Sequence, residues 1–273
     1  MRELSYEHQK ELFNSIPVIC DHRKKEKVDF DHSYVHLHQN IEILYFYNGA
    51  GEVFYAGEII KVKAGDIVII NSMVLHSIYS LDHLEYMFLI IDEDFAAMNG
   101  LFTDKCRFKR YLSDDEVLSG LLMKIDNIKS ERYLCTRLNI ASVVITLLSH
   151  LYYCCLDESS QKDDASDQAI NKAIMYICSN VQRKISVEEL AAYVGYSKSH
   201  FEREFKKQTL QTPLGFINKH KCEYAKKLLM QRKYSVKEVA FMVGFENPDS
   251  FSKMFFKIME EKPTDYLKRL EKN

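Results

Sequence analysis

The 273-residue chain is longer than one hydrophobic core usually organises, so its length predicts two domains. Hydrophobic residues make up 47% of the chain and charged residues 28%, which excludes disordered, fibrous and low-complexity proteins. The net charge of −2 hides an asymmetry: residues 1–167 carry 17 Lys and Arg against 27 Asp and Glu, and residues 168–273 carry 20 against 12. This asymmetry indicates that only the second part binds a polyanion.

No segment predicts export or membrane insertion. Residues 1–10 lack the apolar centre of a signal peptide, and polar side chains interrupt the apolar stretch 140–155 before it reaches the ~20 residues of a membrane span. The seven cysteines include no CxxC pair, which argues against a disulfide framework and against a zinc finger. We therefore expect a cytoplasmic protein with reduced thiols.

Short runs rich in β-branched and aromatic residues follow one another between residues 28 and 92, separated by Gly or Asn. The runs are IEILYFY, GEVFYA, EIIKV, DIVII and EYMFLII. This pattern predicts an antiparallel unit, and its even spacing favours a sandwich or a barrel, because closure removes exposed sheet edges. We assign residues 1–111 to this β domain.

From Asp114 onward the apolar spacing becomes that of helices. One stripe comprises Val117, Leu121, Leu122, Ile125 and Ile128, and a second comprises Leu134, Leu138, Ala141, Ile145, Leu148 and Tyr152. The second stripe fits two arrangements equally well: packing within its own domain, or pairing with a second chain in a homodimer. We predict a helical segment over residues 112–156, with dimerisation as one of its two open roles.

A polar segment, DESSQKDDASDQ, occupies residues 157–168 between two periodic regions and predicts an interdomain linker. After it the chain nearly repeats itself at a spacing of 49 to 50 residues. The first copy, residues 186–213, reads SVEELAAYVGYSKSHFEREFKKQTLQTP, and the second, residues 235–263, reads SVKEVAFMVGFENPDSFSKMFFKIMEEKP. We predict one domain over residues 169–273 that contains two copies of a structural unit.

Each copy has the order of a helix-turn-helix unit. Ser186 and Ser235 are suited to cap a first helix, and a glutamate three residues later completes a capping box. Gly195 and Gly244 lie nine residues after these serines, where a tight turn needs a residue that tolerates positive φ. The first helices are predicted to bury Leu190, Ala191 and Val194, and Val239, Ala240 and Val243.

Residues 214–230 have apolar side chains at helical spacing and predict one connecting helix between the copies. Two helices that enter successive major grooves on one face of DNA lie about 34 Å apart, so a rigid connector would preserve their spacing.

In each second helix two phenylalanines at i, i+4 spacing face the core, which leaves the intervening residues on the surface. Arg, Lys and short polar side chains there suit contacts with base edges and phosphates. One such helix is better explained as a solvated face, but two at a fixed spacing in a basic domain favour DNA. The predicted contacts are Ser199, His200, Glu202, Arg203, Lys206 and Lys207, then Asn247, Asp249, Ser250, Lys253 and Lys257.

These motifs resemble the AraC/XylS family of transcription regulators over residues 168–269. The resemblance is carried by VEELAAYVGYSKSHFEREFKK, VKEVAFMVGF, DSFSKMFFK and PTDY. It implies an α+β multidomain protein, with an N-terminal cupin-like β-barrel and helical hairpin and a C-terminal all-α domain of two helix-turn-helix units. Glu260 replaces the family's usual glycine and Phe256 a usual lysine, which implies weaker DNA reading by the second unit.

The resemblance also implies that the β domain senses an effector. Four residues, His36, His38, Glu42 and His76, fall at the spacing of the ligands in metal-binding cupins. The first three are expected on one face of one strand, and such a set suits iron, zinc, nickel or manganese. Because regulators of this family commonly bind organic effectors instead, we expect these residues, with Tyr45 and Tyr47 nearby, to bind a sugar or related metabolite. A divalent metal and a filled barrel that senses nothing are the alternatives, and no cofactor is expected.

The sequence thus predicts an effector-responsive regulator and not an enzyme. Ligand in the β domain would change how the DNA-binding domains of a homodimer are presented to a promoter and to RNA polymerase. The rival hypothesis is a metal-dependent cupin enzyme, in which the same three histidines and Glu42 hold a catalytic metal and the basic domain is accessory.

Overall fold

The computed structural model describes residues 17–25, 35–103, 105–130, 136–157 and 165–272. The chain divides into two compact units between residues 162 and 163, and each unit contains its own hydrophobic cores. Among the described residues, no helix combines the length and apolar character that a membrane span requires.

Within the described part of the N-terminal unit, six strands form one antiparallel sheet. They are β1 (Val18–Lys25), β2 (Ile41–Tyr55), β3 (Glu58–Lys63), β4 (Ile67–Ile70), β5 (His76–Ile91) and β6 (Tyr111–Leu112). Their order is β1-β5-β2-β4-β6, and β3 pairs with β2. The sheet-rich N-terminal unit predicted from the sequence is confirmed, although β1 was not among the predicted strands.

Strand β2 is longer than the sequence predicted. The runs IEILYFY and GEVFYA form one strand whose pairing with β5 shifts register between Phe46 and Asn48 and between Gly49 and Gly51. Gly49 has a φ of 83°, and a Cβ atom there would collide with the carbonyl oxygen of His83. The glycine therefore marks an irregularity within a strand instead of a turn between two strands.

Three helices complete the described part of this unit: α1 (Glu93–Met98), α2 (Glu116–Ser130) and α3 (Thr136–Cys154). Helices α2 and α3 pack against each other and share one core cluster with the sheet. Helix α2 buries Leu118 alongside the predicted Leu122, Ile125 and Ile128, but Val117 is exposed.

The apolar stripe predicted for α3 is only partly the buried one. The helix buries Ile140, Val143, Val144, Leu147, Leu148 and Leu151. Of the predicted positions, Leu138, Ile145 and Tyr152 are exposed, and Leu134 lies outside the described residues. Helix α3 is apolar on more than one face, so an i, i+3, i+4 pattern alone does not select the face that packs inward.

Helices form the C-terminal unit. They are α4 (Ala165–Ser179), α5 (Val187–Tyr193), α6 (Lys198–Thr209), α7 (Pro213–Met230), α8 (Val236–Met242), α9 (Pro248–Met259) and α10 (Pro263–Lys272). Helix α7 is the predicted connector between the two copies. Much of the predicted linker, residues 158–164, lies outside the described residues, and residues 165–168 belong to the first turn of α4.

Candidate nucleic-acid interface and ligand site

The first copy folds as helix, turn and helix. The Ser186 hydroxyl accepts a hydrogen bond from the Glu189 backbone N–H at 3.1 Å and caps α5. Leu190 is fully buried on the inner face of this helix. Gly195 follows with a φ of 77°, in the left-handed region that favours glycine. The predicted cap and turn are confirmed. Leu190 and Ala191 are buried as predicted, but Val194 is only half-buried.

The second copy repeats this arrangement. Ser235 and Glu238 form a complete capping box at the start of α8, and each side chain accepts from the other residue's backbone N–H. Val239 and Val243 are fully buried, and Gly244 has a φ of 71°. Both copies are therefore helix-turn-helix units.

Helix α6 places a cationic surface over a buried aromatic anchor. Phe201 and Phe205 are fully buried. The Arg203 side chain is 72% exposed, and its Nη2 atom donates to His200 Nδ1 at 2.9 Å. His200 is half-buried against Tyr196 and so positions the guanidinium group. The other predicted contacts on this helix, Ser199, Glu202, Lys206 and Lys207, are all exposed.

Helix α9 presents a similar surface with different chemistry. Phe251 and Phe255 are fully buried, while Asp249, Ser250, Lys253 and Lys257 are exposed. The Asn247 side-chain oxygen accepts from the Asp249 backbone N–H at 2.8 Å, so Asn247 is the N-cap, a role that the sequence prediction did not assign. Both second helices thus direct cationic side chains outward, but only α6 carries an arginine, whose planar fork suits bidentate contacts with guanine.

In the N-terminal unit, four predicted site residues converge. The Nε2 atoms of His38 and His76 lie 3.1 Å and 2.9 Å from the same oxygen of Glu42, Oε2. Together with His36, these residues each offer a ligand atom, and all four atoms lie within 4.8 Å of one another.

The route by which these residues converge differs from the prediction. His36 and His38 precede β2, which begins at Ile41, and so they do not share a strand with Glu42. His36 instead forms an isolated antiparallel bridge with His76, at the start of β5. The cluster therefore combines two strands and the segment before β2.

The cluster is largely removed from solvent. His38, Glu42 and His76 are buried, whereas His36 is half-buried. Burial lowers the pKa of His76 to about 4, so this imidazole is neutral near pH 7. Burial alone would raise the pKa of Glu42, but hydrogen bonds from His38 and His76 hold that pKa well below its usual range.

The donor atoms fit a divalent transition-metal ion. His38 Nδ1 lies 2.8 Å from the carbonyl oxygen of Asn40, and His76 Nδ1 lies 2.9 Å from that of Val74. If both Nδ1 atoms carry the hydrogen, each neutral imidazole directs its Nε2 lone pair towards Glu42. Histidine ligands whose other nitrogen donates to a carbonyl are the usual arrangement at protein metal sites. Without an ion, the same distances fit Nε2–H groups that donate to the Glu42 carboxylate.

Tyr45 and Tyr47 do not belong to this cluster. Alternate residues of β2 face opposite sides of the sheet, and Tyr45 packs with Tyr47 against the core that contains α2 and α3. The Tyr47 hydroxyl donates to Met87 Sδ at 3.1 Å on that side. The prediction that Tyr45 lies beside Glu42 is wrong, because an odd separation of three residues along one strand reverses the direction of the side chain.

Family models match both units. Residues 25–132 match the AraC-like ligand binding domain, and residues 190–269 match a helix-turn-helix domain. An uncharacterized HTH-type transcriptional regulator of Staphylococcus aureus is 22% identical over 227 residues, or 80% of this chain. The chain spans only 30% of that relative's length. The probable transcriptional regulator LumQ of Photobacterium leiognathi is 31% identical over 106 residues, which cover 38% of this chain and 43% of LumQ.

Solved structures show the same fold. The apo form of a substituted ToxT from Vibrio cholerae strain SCE256 matches with a TM-score of 0.52 at 16% identity, over 94% of this chain and 99% of that one. ToxT of Vibrio cholerae O395 bound to (E)-4-(8-methylnaphthalen-1-yl)but-3-enoic acid matches with a TM-score of 0.51 at 14% identity, over 93% and 99%. At these identities the likeness establishes the architecture alone.

Proposed function

Because the chain belongs to the AraC family of DNA-binding transcription regulators and carries an AraC-like ligand-binding domain, we propose that an effector bound in the N-terminal unit modulates promoter binding by the C-terminal unit. The relatives from Staphylococcus aureus and Photobacterium leiognathi are both named as transcriptional regulators. An effector shifts promoter occupancy only if it binds the two arrangements of the protein with unequal affinity.

The observation that carries the DNA-binding role is the repeated pair of buried phenylalanines beneath exposed cations. We propose residues 169–273 as the DNA-binding domain, in which α6 and α9 each enter a major groove. Residues on α6 and α9 that are exposed and polar serve as base and phosphate contacts, and the arginine of α6 reads guanine.

Selection of bound fragments from the source genome tests this role. We expect the full chain to enrich promoter fragments that contain two half-sites about one helical turn apart. Binding that shows no sequence preference at any salt concentration would contradict sequence-specific regulation.

For the effector, the cluster of His36, His38, Glu42 and His76 is the proposed contact, and a sugar or related metabolite is the first candidate. A divalent metal ion is the second candidate, because two Nε2 atoms converge on one carboxylate oxygen. Since ToxT was solved with a carboxylic acid, such acids belong in the ligand panel.

Calorimetry and elemental analysis distinguish these effectors. Stoichiometric metal that is lost in His76→Ala would identify an ion, whereas metal-independent heat with one sugar would identify a metabolite. The matched control is His22→Ala, since His22 is an exposed histidine of the same unit that pairs with Glu85 and belongs to no potential metal-binding group among the described residues. Retention of either ligand by His76→Ala would remove the cluster from the effector site.

We also propose that α3 mediates a homodimer, with RNA polymerase as a further partner at the promoter. Leu138, Ile145 and Tyr152 recur every seven residues and are 70%, 46% and 45% exposed, so they form an apolar stripe that is not covered within the described chain. Sedimentation should show a dimer that Ile145→Glu dissociates. Met98→Glu, at an exposed apolar position on α1, should leave the dimer intact.

A further inference from the structure

Helix α7 carries a buried lysine that joins both helix-turn-helix units. Lys221 is only 4% exposed, and its Nζ atom donates to three backbone carbonyls. The acceptors are Arg183 at 2.8 Å, Val243 at 2.7 Å and Gly244 at 3.2 Å. A buried ammonium group with three acceptors is satisfied, but it cannot move away from them without a large desolvation cost.

The three carbonyls belong to different parts of the domain. Val243 and Gly244 follow α8, where carbonyls at a helix end lack intrahelical donors and carry partial negative charge. Arg183 lies in the segment between α4 and α5, which leads into the first unit. One ammonium group on α7 therefore binds the entrance of the first unit and the turn of the second.

The backbones of Gly244 and Arg183 also lie in close contact beside Lys221. A Cβ atom on Gly244 would lie 2.7 Å from the carbonyl oxygen of Arg183 and 2.6 Å from Lys221 Nζ. Beside it, Lys184 forms an ion pair with Glu246 at 3.1 Å, which again connects the two units. The second turn thus packs directly on the segment that leads into the first unit and is not held by α7 alone.

We propose that Lys221 is a positioning residue that fixes the orientation of α9 relative to α6, and so sets the spacing at which both helices enter DNA. The inference rests on the proposed DNA-binding function. A rotation of the second unit about α7 would break the bonds of Lys221 and expose its charge. These contacts therefore allow both helix-turn-helix units to bind DNA at the same time. Linked binding sites gain affinity only when both are engaged together.

Fluorescence anisotropy with the full chain tests the proposal. The probes are a selected promoter duplex and two derivatives in which one half-site is scrambled. We expect Lys221→Met to weaken binding to the intact duplex about tenfold or more while half-site duplexes change less than about twofold, since only simultaneous engagement is impaired. Lys237→Met is the control, because it removes one exposed positive charge from α8 and should lower all affinities by the same small factor.

Each outcome has a separate meaning. If the wild-type chain prefers no duplex, the proposed function fails. If wild-type binds but Lys221→Met loses equal affinity on intact and half-site duplexes, or loses none, the positioning role is overturned. Lys221→Gln keeps two N–H donors and serves if the methionine variant does not fold; circular dichroism establishes folding for both.

Discussion

The two helix-turn-helix units share one sequence pattern, but their turns are built under different constraints. Gly195 and Gly244 both have positive φ, at 77° and 71°. A Cβ atom on Gly195 would meet nothing within 4 Å, whereas one on Gly244 would meet Arg183 and Lys221. The two glycines are thus required for different reasons. In the first unit the backbone conformation alone favours glycine, whereas in the second unit close packing excludes a side chain as well.

The helix starts differ in a related way. In the first unit the Glu189 carboxylate binds the side chains of Arg183 and Tyr176, which connects α5 to preceding segments. In the second unit Glu238 closes onto Ser235, its own N-cap. The first unit therefore stabilises its helix start by contacts with neighbouring segments. The second stabilises its helix start locally, and its turn by contacts with α7 and with the segment that leads into the first unit.

The largest expected effect is the loss of stability when each turn glycine is replaced by alanine. Gly195→Ala should destabilise the protein by about 1–2 kcal/mol, the cost of a left-handed conformation for a residue with a Cβ atom. Gly244→Ala should cost about 1–3 kcal/mol more, because the crowded backbone of Arg183 cannot easily give way. Urea denaturation of the two variants measures the difference, and equal losses would refute the packing constraint at Gly244.

The second prediction concerns the asymmetry between the recognition helices. Arg203→Ala should weaken binding to a selected site by about 1–3 kcal/mol and change binding to random DNA much less. Lys206→Ala in the first unit and Lys257→Ala in the second should weaken both and reduce the salt slope by about 1. Titrations at several salt concentrations measure both effects. Equal losses on all sequences for Arg203→Ala would remove it from the base-reading residues.

Local chemistry explains what the sequence predicted well. Caps, turn glycines and phenylalanine pairs depend on residues close in sequence, so the repeat at Ser186 and Ser235 identified both units. The four cluster residues were also identified, although they reach one another from segments that the strand pattern placed differently. Period-two alternation alone would have separated Tyr45 from Glu42.

Tertiary context decides the remainder. Nothing in the spacing of α3 distinguishes its buried face from its exposed stripe, and only packing against the sheet selects one. Lys221 was missed because lysine is rarely buried, yet it occupies the helical stripe that also contains Ile217 and Ala225, both buried. A charged residue in an otherwise apolar stripe was the available signal.

A smaller effect is expected where the two second helices end. Leu210 and Glu260 both adopt left-handed conformations, with φ of 59° and 56°. Glu260 thus forms the helix cap that a glycine usually forms, so its departure from the family pattern does not disturb the backbone. Leu210→Gly and Glu260→Gly should each stabilise by about 0.5–1 kcal/mol, measured as equal rises in Tm. A change in DNA affinity for Glu260→Gly would contradict this explanation and would indicate that Glu260 does weaken DNA recognition by the second unit.

The smallest expected effect compares the two caps by pH. Hydrogen bonds from Arg183 and Tyr176 lower the pKa of Glu189 to about 2, below its ordinary value of 4.5. A carboxyl group whose pKa is lowered by folding stabilises the protein above pH 4.5, and this contribution is lost as the pH falls towards 2. Because the Glu189 side chain is 33% exposed, solvent screening limits it to less than about 1 kcal/mol. The urea midpoint of the wild-type protein should therefore fall between pH 4.5 and pH 3, and this fall should be smaller in Glu189→Gln. Arg183→Met, which removes the guanidinium partner of Glu189, should reduce the fall similarly. If the urea midpoint of both variants falls as steeply as that of the wild-type protein, this network contributes nothing to the first cap.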